Sequence, residues 1–374
     1  MRILLLLLIA NFHTASAQVF QSSYIKPKKI IEKAKGHYFI DFGKDAFGTL
    51  SLLLKSPQQD SLVIHLGEKL SGRYSIDKDP GGTIRYQRVV VHKLPAGHRY
   101  NIQLIRNKRN TSPPAVALPD SFGVIMPFRY AEIENLQVPL SHVSFTQKVF
   151  NYHFNDNASY FTSSDTILNK IWDLCKHTIK ATSFCGLYVD GDRERIPYEA
   201  DALINQLSHY AVDNEYSLAR RTNEYFIDHP TWPTEWVLHT VLLFYYDYLY
   251  TGDTAPVSKH YEALKNKTLV SLERADGLIS SKSMQPKIRD IIDWPENERD
   301  GYEMVEVNTV VNAFHYINLK LMAKLAGALN KKEDSILFHN KSVLVKNSIN
   351  QKFLKGIYTD GEGSTHSSLH ANMF

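Results

Sequence analysis

The hydrophobic pattern of this chain changes its period near residue 160, and the change divides the sequence into two structural regimes. Before that point, short runs alternate apolar and polar residues, and turn signals such as Gly43 separate them. Examples of these runs are Tyr38–Phe42, Thr49–Leu54, Ser61–Leu66, Arg85–Val91 and Phe128–Ile133. A period of two is typical of half-buried strands. Short strands at this spacing predict an antiparallel β-sandwich or jelly roll, with a linker, over residues 18–160.

After residue 160, apolar residues recur every three or four positions, as they do on one face of a helix. Asp165 and the serines before it are suited to cap the first helix. Further helices are predicted over about 200–212, 214–227, 234–250, 255–270, 307–329 and 333–352. About seven helices with short connections predict antiparallel hairpins, and periodicity alone does not distinguish a bundle, a solenoid or a toroid.

The N-terminal residues carry a targeting signal. Arg2 precedes the apolar run Ile3–Ala10, and Ala15-Ser16-Ala17 supplies small residues for cleavage before Gln18. This layout is typical of a secretory signal peptide over residues 1–17 and is too short for a membrane span. No later segment approaches about 20 uninterrupted apolar residues. We therefore expect an exported protein, periplasmic or extracellular, without a membrane span.

The composition argues against several classes of protein. The formal net charge of +4 is small for 374 residues, so nucleic-acid or membrane-surface binding is not expected. The basic run Arg106–Arg109 is interpreted as a solvated loop. Cys175 and Cys185 do not form a recognised disulfide framework, and the sequence has no zinc-ligand spacing or Gly-rich phosphate loop. No metal and no cofactor are expected, and nothing in the sequence specifies an oligomeric state.

The segment Tyr188–Asp201 concentrates the ionisable groups of the chain. Its charged residues are Asp190, Asp192, Arg193, Glu194, Arg195, Glu199 and Asp201. Crowded carboxylates raise one another's pKa and a neighbouring guanidinium lowers it, so some acids are held protonated while others stay ionised. Glycoside hydrolysis needs that division, because one carboxylic acid protonates the leaving oxygen while others hold hydroxyls or activate water.

A solvated charged loop is the alternative interpretation of this segment. Tyr188, Ile196, Pro197 and Tyr198 alternate with the charges, which is unusual for a loop that contacts only water. The residues alone leave the two interpretations evenly balanced.

The motif from Asp190 to Asp201 resembles the signature of the α-L-rhamnosidases, glycoside hydrolase family 78. That family typically shows Asp-Cys-Pro-x-Arg-Glu-[basic]-Leu-Gly-Trp-x-Gly-Asp. The residues that match in order and spacing are Arg193, Glu194, Arg195, Ile196, Tyr198 and Asp201. The chain is one residue shorter ahead of Arg193, and Gly191-Asp192 replaces Cys-Pro. The resemblance therefore leaves open whether Asp190 or Asp192 fills the first acidic position.

Other segments resemble the same family, and the resemblance covers about residues 160–374. Asp293-Trp294-Pro295 is similar to its Asp-Trp loop. Trp236, followed by Tyr248 and Thr251-Gly252-Asp253, is similar to its Trp…Tyr…Gly-Asp helix, although Leu238 stands where an acid is usual. Two further segments, Val307–Asn312 and Asp360–Asn372, are similar to its later helices.

The resemblance implies a fold, an activity and roles for particular residues. The family fold is an (α/α)6 toroid of twelve helices, so residues 161–374 would be its N-terminal part, and the activity is hydrolysis of α-L-rhamnosides with inversion. Glu194 would be the general acid, with Asp190, Asp201 and Asp192 holding sugar hydroxyls. The family's base is a Glu far downstream, which we expect beyond Phe374. We therefore expect the chain as given to hydrolyse rhamnosides slowly or not at all.

Further substrate-binding candidates are Arg193, Tyr198, Trp236, Asp293 and Trp294. Trp236 taken alone is more typical of a hydrophobic core, whereas Trp294 lies in a predicted loop, which favours the site. The expected partner is a rhamnose-containing carbohydrate. Two alternatives are a six-hairpin glycosidase of other sugar specificity and a non-catalytic glycan-binding or inactive truncated protein.

Overall fold

The computed structural model describes residues 20–55, 59–94 and 96–374, and the predicted signal peptide lies outside the described residues. The strands are β1 (Phe20–Ile25), β2 (Lys29–Ala34), β3 (His37–Leu54), β4 (Gln59–Gly67), β5 (Leu70–Gly72), β6 (Ser75–Ile76), β7 (Tyr86–Leu94), β8 (Arg99–Asn101), β9 (Met126–Glu134) and β10 (Val143–Tyr152). The helices are α1 (Lys108–Thr111), α2 (Thr166–Thr182), α3 (Glu199–Val212), α4 (Ser217–Asp228), α5 (Thr234–Thr251), α6 (Ala255–Lys267), α7 (Thr309–Ala328), α8 (Lys332–Phe353) and α9 (Leu369–Met373).

Strand β3 organises the β-domain. Within the described residues, the main sheet runs in the order β1-β10-β3-β9-β4-β7, with β2 and β8 also paired to β3, and every pairing is antiparallel. The first part of β3 pairs with β2, and its second part pairs with β8 and β10. The sheet therefore folds over one core as a half-barrel, with Phe42, Leu50 and Phe128 fully buried. The predicted antiparallel β-domain is confirmed.

A β-bulge interrupts β3 between Asp41 and Ala46, where its register with β9 shifts. Gly43 has a left-handed φ of 89°, and a Cβ there would lie 2.4 Å from the side chain of Lys28. The two runs predicted as separate strands, Tyr38–Phe42 and Thr49–Leu54, are thus the two ends of one strand. The glycine marks a bulge and not a turn.

The predicted helices are confirmed, with boundaries within three residues of those predicted. Asp165 caps α2 by accepting the backbone N–H of Ile167 at 2.8 Å. Helix α4 begins at Ser217 and not at residue 214, because the Glu215 carboxylate accepts the backbone N–H groups of Ser217 and Leu218. Helix α6 ends at Lys267, ahead of Leu269 in a left-handed conformation.

The helices form hairpins in which α3, α5 and α7 are neighbours, and α4, α6 and α8 alternate with them in chain order. Helix α5 packs against both α3 and α7, and α7 packs along α8. The segments that precede α5 and α7 meet in a parallel bridge between Pro233 and Arg289. The N-terminal ends of α3, α5 and α7 therefore share one end of the helical region.

Helix α2 keeps part of its apolar face exposed at Ile167, Ile171 and Leu174. Cys175 on the same helix is exposed, Cys185 is buried, and both are free thiols. None of the helices in the described ranges is long and apolar enough to cross a membrane.

Candidate active site

The acidic segment is built into the fold and is not a solvated loop. Tyr188 and Val189 are buried, and the Tyr188 hydroxyl lies 2.7 Å from Nδ1 of His209 on α3. Helix α3 begins at Glu199, so Asp201 lies in its first turn, as the sequence predicts. The aromatic and apolar residues that alternate with the charges anchor the segment and fix where the charges point.

Glu194 sits among three donors at the start of α3. The Tyr198 hydroxyl donates to its Oε2 at 2.8 Å, and Arg109 donates to its Oε1 at 3.3 Å. The guanidinium of Arg193 lies 3.5 Å from Oε2. Burial raises the pKa of Glu194, but the bonds from Tyr198 and Arg109 outweigh it, and the pKa lies below its ordinary value. Glu194 is therefore ionised at neutral pH.

Asp190 and Asp201 show the opposite electrostatics beside it. Asp190 accepts the Ile196 backbone N–H and the Arg193 Nε, each at 3.2 Å. Burial raises the pKa of Asp190 above its ordinary value. Burial also raises the pKa of Asp201, and the nearby charge of Asp190 adds to the effect. The cluster thus combines a carboxyl with a lowered pKa, Glu194, with two whose pKa values are raised, Asp190 and Asp201.

Asp192 has different partners. Its carboxylate lies 2.7 Å from Nη2 of Arg195 and 2.9 Å from Nε of Arg85, and its side chain is 6% exposed. The backbone carbonyl of Asp192 accepts the amide of Asn110 at 2.7 Å. The two acidic candidates therefore separate: Asp190 shares Arg193 with Glu194, whereas Asp192 pairs with Arg85 of the β-domain. This geometry favours Asp190 for the first acidic position of the motif.

The β-domain closes one side of the segment. Arg195, in a left-handed conformation with φ 56°, donates to the Ile125 carbonyl at 2.7 Å and accepts the Val116 backbone N–H at 2.9 Å. Arg109, from the basic run interpreted as a solvated loop, reaches Glu194 while its side chain stays 52% exposed. The sequence gives no signal for this contact, because 85 residues separate the two partners.

Aromatic side chains continue the site from Tyr198. The Trp236 ring lies edge-on to Tyr198 with 5.4 Å between centroids, and Trp232 follows 6.5 Å from Trp236. Trp236 is half-buried at the start of α5, so it both packs in the fold and borders the acidic cluster. This arrangement is typical of a wall on which a sugar ring stacks.

The Asp293-Trp294 pair is tied to the last helix of the described region. Asp293 accepts from His370 Nε2 on α9 at 2.8 Å, and its other oxygen accepts the Trp294 backbone N–H at 2.7 Å. Trp294 is 64% exposed. The structure thus places the pair in the loop ahead of α7, with an aromatic ring open to solvent.

Buried acids connect the loops at this end, and sequence reasoning did not rank them. Glu199 accepts the Thr231 backbone N–H at 3.0 Å, and Glu235 accepts that of Ile291 at 2.9 Å. Asp360 accepts the backbone N–H groups of Glu303 at 2.8 Å and Ser368 at 2.9 Å. Glu199 and Glu235 lie in the first turns of α3 and α5, where the helix dipole stabilises a negative charge. Each acid orders the loop ahead of a neighbouring helix.

The arrangement suits hydroxyl binding and proton transfer. Carboxyls of different acidity, a tyrosine hydroxyl and two guanidinium groups surround Glu194 beside an aromatic wall. Over residues 20–55, 59–94 and 96–374, no group of three or more His, Cys, Asp or Glu side chains is arranged to hold a metal ion.

Comparison with known proteins gives the family. Residues 156–374 match the bacterial α-L-rhamnosidase six-hairpin glycosidase domain. A search of curated proteins found no match. The chain resembles the family 78 rhamnosidase of Bacillus sp. GL1 with a TM-score of 0.64 and 18% identity, over 89% of this chain and 34% of that one.

Two further solved structures share the fold. The Klebsiella oxytoca rhamnosidase with rhamnose bound has a TM-score of 0.66 and 16% identity, over 94% of this chain and 75% of that one. The Streptomyces avermitilis α-L-rhamnosidase complexed with L-rhamnose has a TM-score of 0.66 and 12% identity, over 92% and 32%. The chain spans about a third of the length of the Bacillus and Streptomyces proteins.

An antiparallel β-domain followed by helical hairpins, with an acidic cluster at one end of them, defines a glycosidase of the six-hairpin class. The match covers more than half of the sequence. The chain belongs to the bacterial α-L-rhamnosidase family within that class.

Proposed function

We propose that the protein is an exported α-L-rhamnosidase that hydrolyses rhamnose-containing glycosides or glycans with inversion. The observation that carries the proposal is the convergence of Glu194, Tyr198 and Arg193 beside Asp190, at the N-terminal end of α3. The family match supports the class of reaction, and the solved relatives with rhamnose support the class of sugar.

Glu194 acts as the general acid in this proposal, and Asp190 and Asp201 hold sugar hydroxyls. Tyr198 orients the Glu194 carboxyl through its 2.8 Å hydrogen bond, and Trp236 offers a ring face to the sugar. An inverting enzyme also needs a second carboxylate, roughly 6.5–9.5 Å from the acid, to activate water. The family resemblance assigns that base to a Glu further along the helical domain.

A general acid must carry a proton, whereas the hydrogen bonds from Tyr198 and Arg109 keep Glu194 ionised at neutral pH. Arg109 is the donor that a substrate displaces most readily, because it is half-exposed and its bond to Glu194 is the longer of the two hydrogen bonds. Loss of that contact and exclusion of water both raise the pKa of Glu194. Substrate binding therefore prepares the acid for protonation.

The experiment is release of rhamnose with protein in excess over substrate, which detects slow turnover by residues 18–374. Glu194→Gln should slow release from an unactivated rhamnoside about 10²–10⁴-fold and affect an aryl rhamnoside with a good leaving group much less. Release from the unactivated rhamnoside by Glu194→Gln at the rate of the unmodified chain would overturn the assignment. Slow hydrolysis, or none, by the chain as given stays a prediction.

Export is a separate part of the proposal and rests on the layout of residues 1–17. N-terminal sequencing of the protein recovered from its native compartment tests it. A mature chain that begins at Gln18 would support export, and a cytoplasmic chain that retains Met1 would contradict it.

A further inference from the structure

A cavity of about 1310 Å³ lies between the β-domain and helix α2, and Asp190 and Arg193 form part of its wall. Strands β3 and β9 and the loop residues after β4 and before β7 supply one side, and α2 supplies the other. Ligand pockets commonly measure ~300–1,000 Å³. This space is therefore large enough for more than one sugar unit, and it continues directly from the acidic cluster.

The β-bulge of β3 delivers residues to this cavity. Gly43, Lys44 and Asp45 lie in the interval where the register with β9 shifts, and all three line the cavity. The backbone carbonyl of Asp45 lies 2.6 Å from Nε2 of His177, so α2 holds the bulge in place. Bulges redirect side chains out of a sheet and are over-represented next to functional sites.

Two carboxyl groups line the cavity, Asp45 on the bulge of β3 and Glu68 just after the end of β4. Burial raises the pKa of Asp45 to about 8, and the neighbouring charge of Glu68 adds to this effect. Burial also raises the pKa of Glu68. Among the described residues, Asp45 Oδ1 has no hydrogen-bond partner although it is buried. A buried oxygen of this kind is costly unless a ligand or water satisfies it.

The rest of the lining favours a neutral, hydroxyl-rich ligand. Basic side chains such as Lys44 and Lys170 are balanced by acidic ones such as Asp173, so the cavity has no strong field of one sign. Tyr130 adds an aromatic surface, with the guanidinium of Arg129 over its ring at 4.9 Å. A carboxyl whose pKa is raised to about 8, as that of Asp45 is, carries a proton at neutral pH and both donates to and accepts from hydroxyl groups.

We propose that this cavity binds the neutral sugar units that follow the terminal rhamnose of the substrate, with the Asp45–Glu68 pair on their hydroxyls. The inference rests on the proposed function, since Asp190 joins the cavity to the cluster that receives the rhamnose. Binding of these sugar units in the cavity makes the protein prefer rhamnose at the end of an oligosaccharide to rhamnose on a small aglycone.

The test is calorimetric titration of the whole chain with three probes. They are L-rhamnose, a neutral oligosaccharide that ends in rhamnose through an uncleavable thioglycosidic bond, and the same oligosaccharide without its rhamnose. We expect the rhamnose-terminated oligosaccharide to bind at least about tenfold more tightly than rhamnose, because a hydrogen bond that involves a charged group strengthens binding by about that factor or more. Asp45→Asn and Glu68→Gln should each remove this gain and leave rhamnose binding within about twofold.

Glu262→Gln is the matched control, because Glu262 is an exposed acid on helix α6 and does not line the cavity. Thermal unfolding shows whether each variant is folded. If Asp45→Asn does not fold, Glu68→Gln alone provides the binding test. An oligosaccharide that binds no more tightly than rhamnose to the unmodified chain would overturn the proposal, as would full retention of the gain in both cavity variants.

The third probe separates this proposal from the proposed function. Binding of the rhamnose-free oligosaccharide that depends on Asp45, without any binding of rhamnose, would support the cavity site and overturn the rhamnosidase assignment. Binding of rhamnose with no gain from the added sugars would overturn the cavity site alone.

Discussion

Arg109 in the β-domain donates a hydrogen bond to Glu194 in the helical region at 3.3 Å. The short helix α1 that carries Arg109 is held in place by Asn110, which donates to the Asp192 carbonyl at 2.7 Å. The proposed proton donor is therefore in contact with both parts of the molecule, and the β-domain takes part in setting its ionisation.

We predict that Arg109→Gln raises the pKa of Glu194. A guanidinium beside a carboxyl favours the ionised form, so its removal lets burial push the pKa upward. Carbon-13 NMR of the Glu194 carboxyl over a pH series measures the change directly and needs no turnover. Where rhamnose release is measurable, the alkaline limb of its pH profile should move to higher pH, because the acid stays protonated longer.

Arg106→Gln is the control for that measurement, because Arg106 belongs to the same basic run and is exposed. It should leave the pKa of Glu194 unchanged. Equal pKa values of Glu194 in the Arg109→Gln variant and the unmodified protein would show that the contact has no electrostatic effect.

Asp192→Asn should destabilise the fold by about 3–5 kcal/mol, because it leaves the buried guanidinium group of Arg195 without its charge partner. Asp190→Asn should cost about 1 kcal/mol or less, since Arg193 is 40% exposed and water can solvate it. Urea unfolding at neutral pH measures both. Equal losses for the two variants would contradict the structural separation of the two aspartates.

Glu235 should make stability depend on pH. Burial raises the pKa of Glu235 from 4.5 to about 7, and its side chain is almost fully buried. A raised pKa means that the folded protein retains a proton that the unfolded chain releases. The stabilisation is therefore complete below about pH 4.5 and is lost as the pH rises through 7.

Between pH 4.5 and 7, the unfolding free energy of the unmodified protein should therefore fall by up to about 3 kcal/mol relative to that of Glu235→Gln. The glutamine keeps an oxygen for the backbone N–H groups of Ile291 and Ile292 but does not titrate. Urea unfolding of both proteins across this range measures the difference. A difference that does not vary with pH would show that Glu235 keeps its ordinary pKa.

Local pattern was sufficient for much of the fold. The helical period located α2 to α8 to within a few residues, and the placement of Asp201 in the first turn of α3 followed from the start of that helix. Asp165 was recognisable as a cap because its side chain acts on the next turn of the same chain. These features depend on interactions between residues close in sequence.

Features that depend on distant partners were not predictable. Gly43 looks the same in sequence whether it ends a strand or forms a bulge, and the pairing of β9 with β3 decides between them. The low pKa of Glu194 depends on Arg109, which only the folded chain brings near. The choice between Asp190 and Asp192 likewise depends on Arg85, more than 100 residues away.

We propose that Asp190, Glu194 and Asp201 form one rhamnose-binding site, and titration of the chain with L-rhamnose is the most direct test of that site. We expect saturable binding of L-rhamnose in preference to D-glucose, weakened about tenfold or more by Asp201→Asn and unchanged by Glu262→Gln on α6. L-rhamnose that binds Asp201→Asn as tightly as it binds the unmodified chain would contradict a shared site.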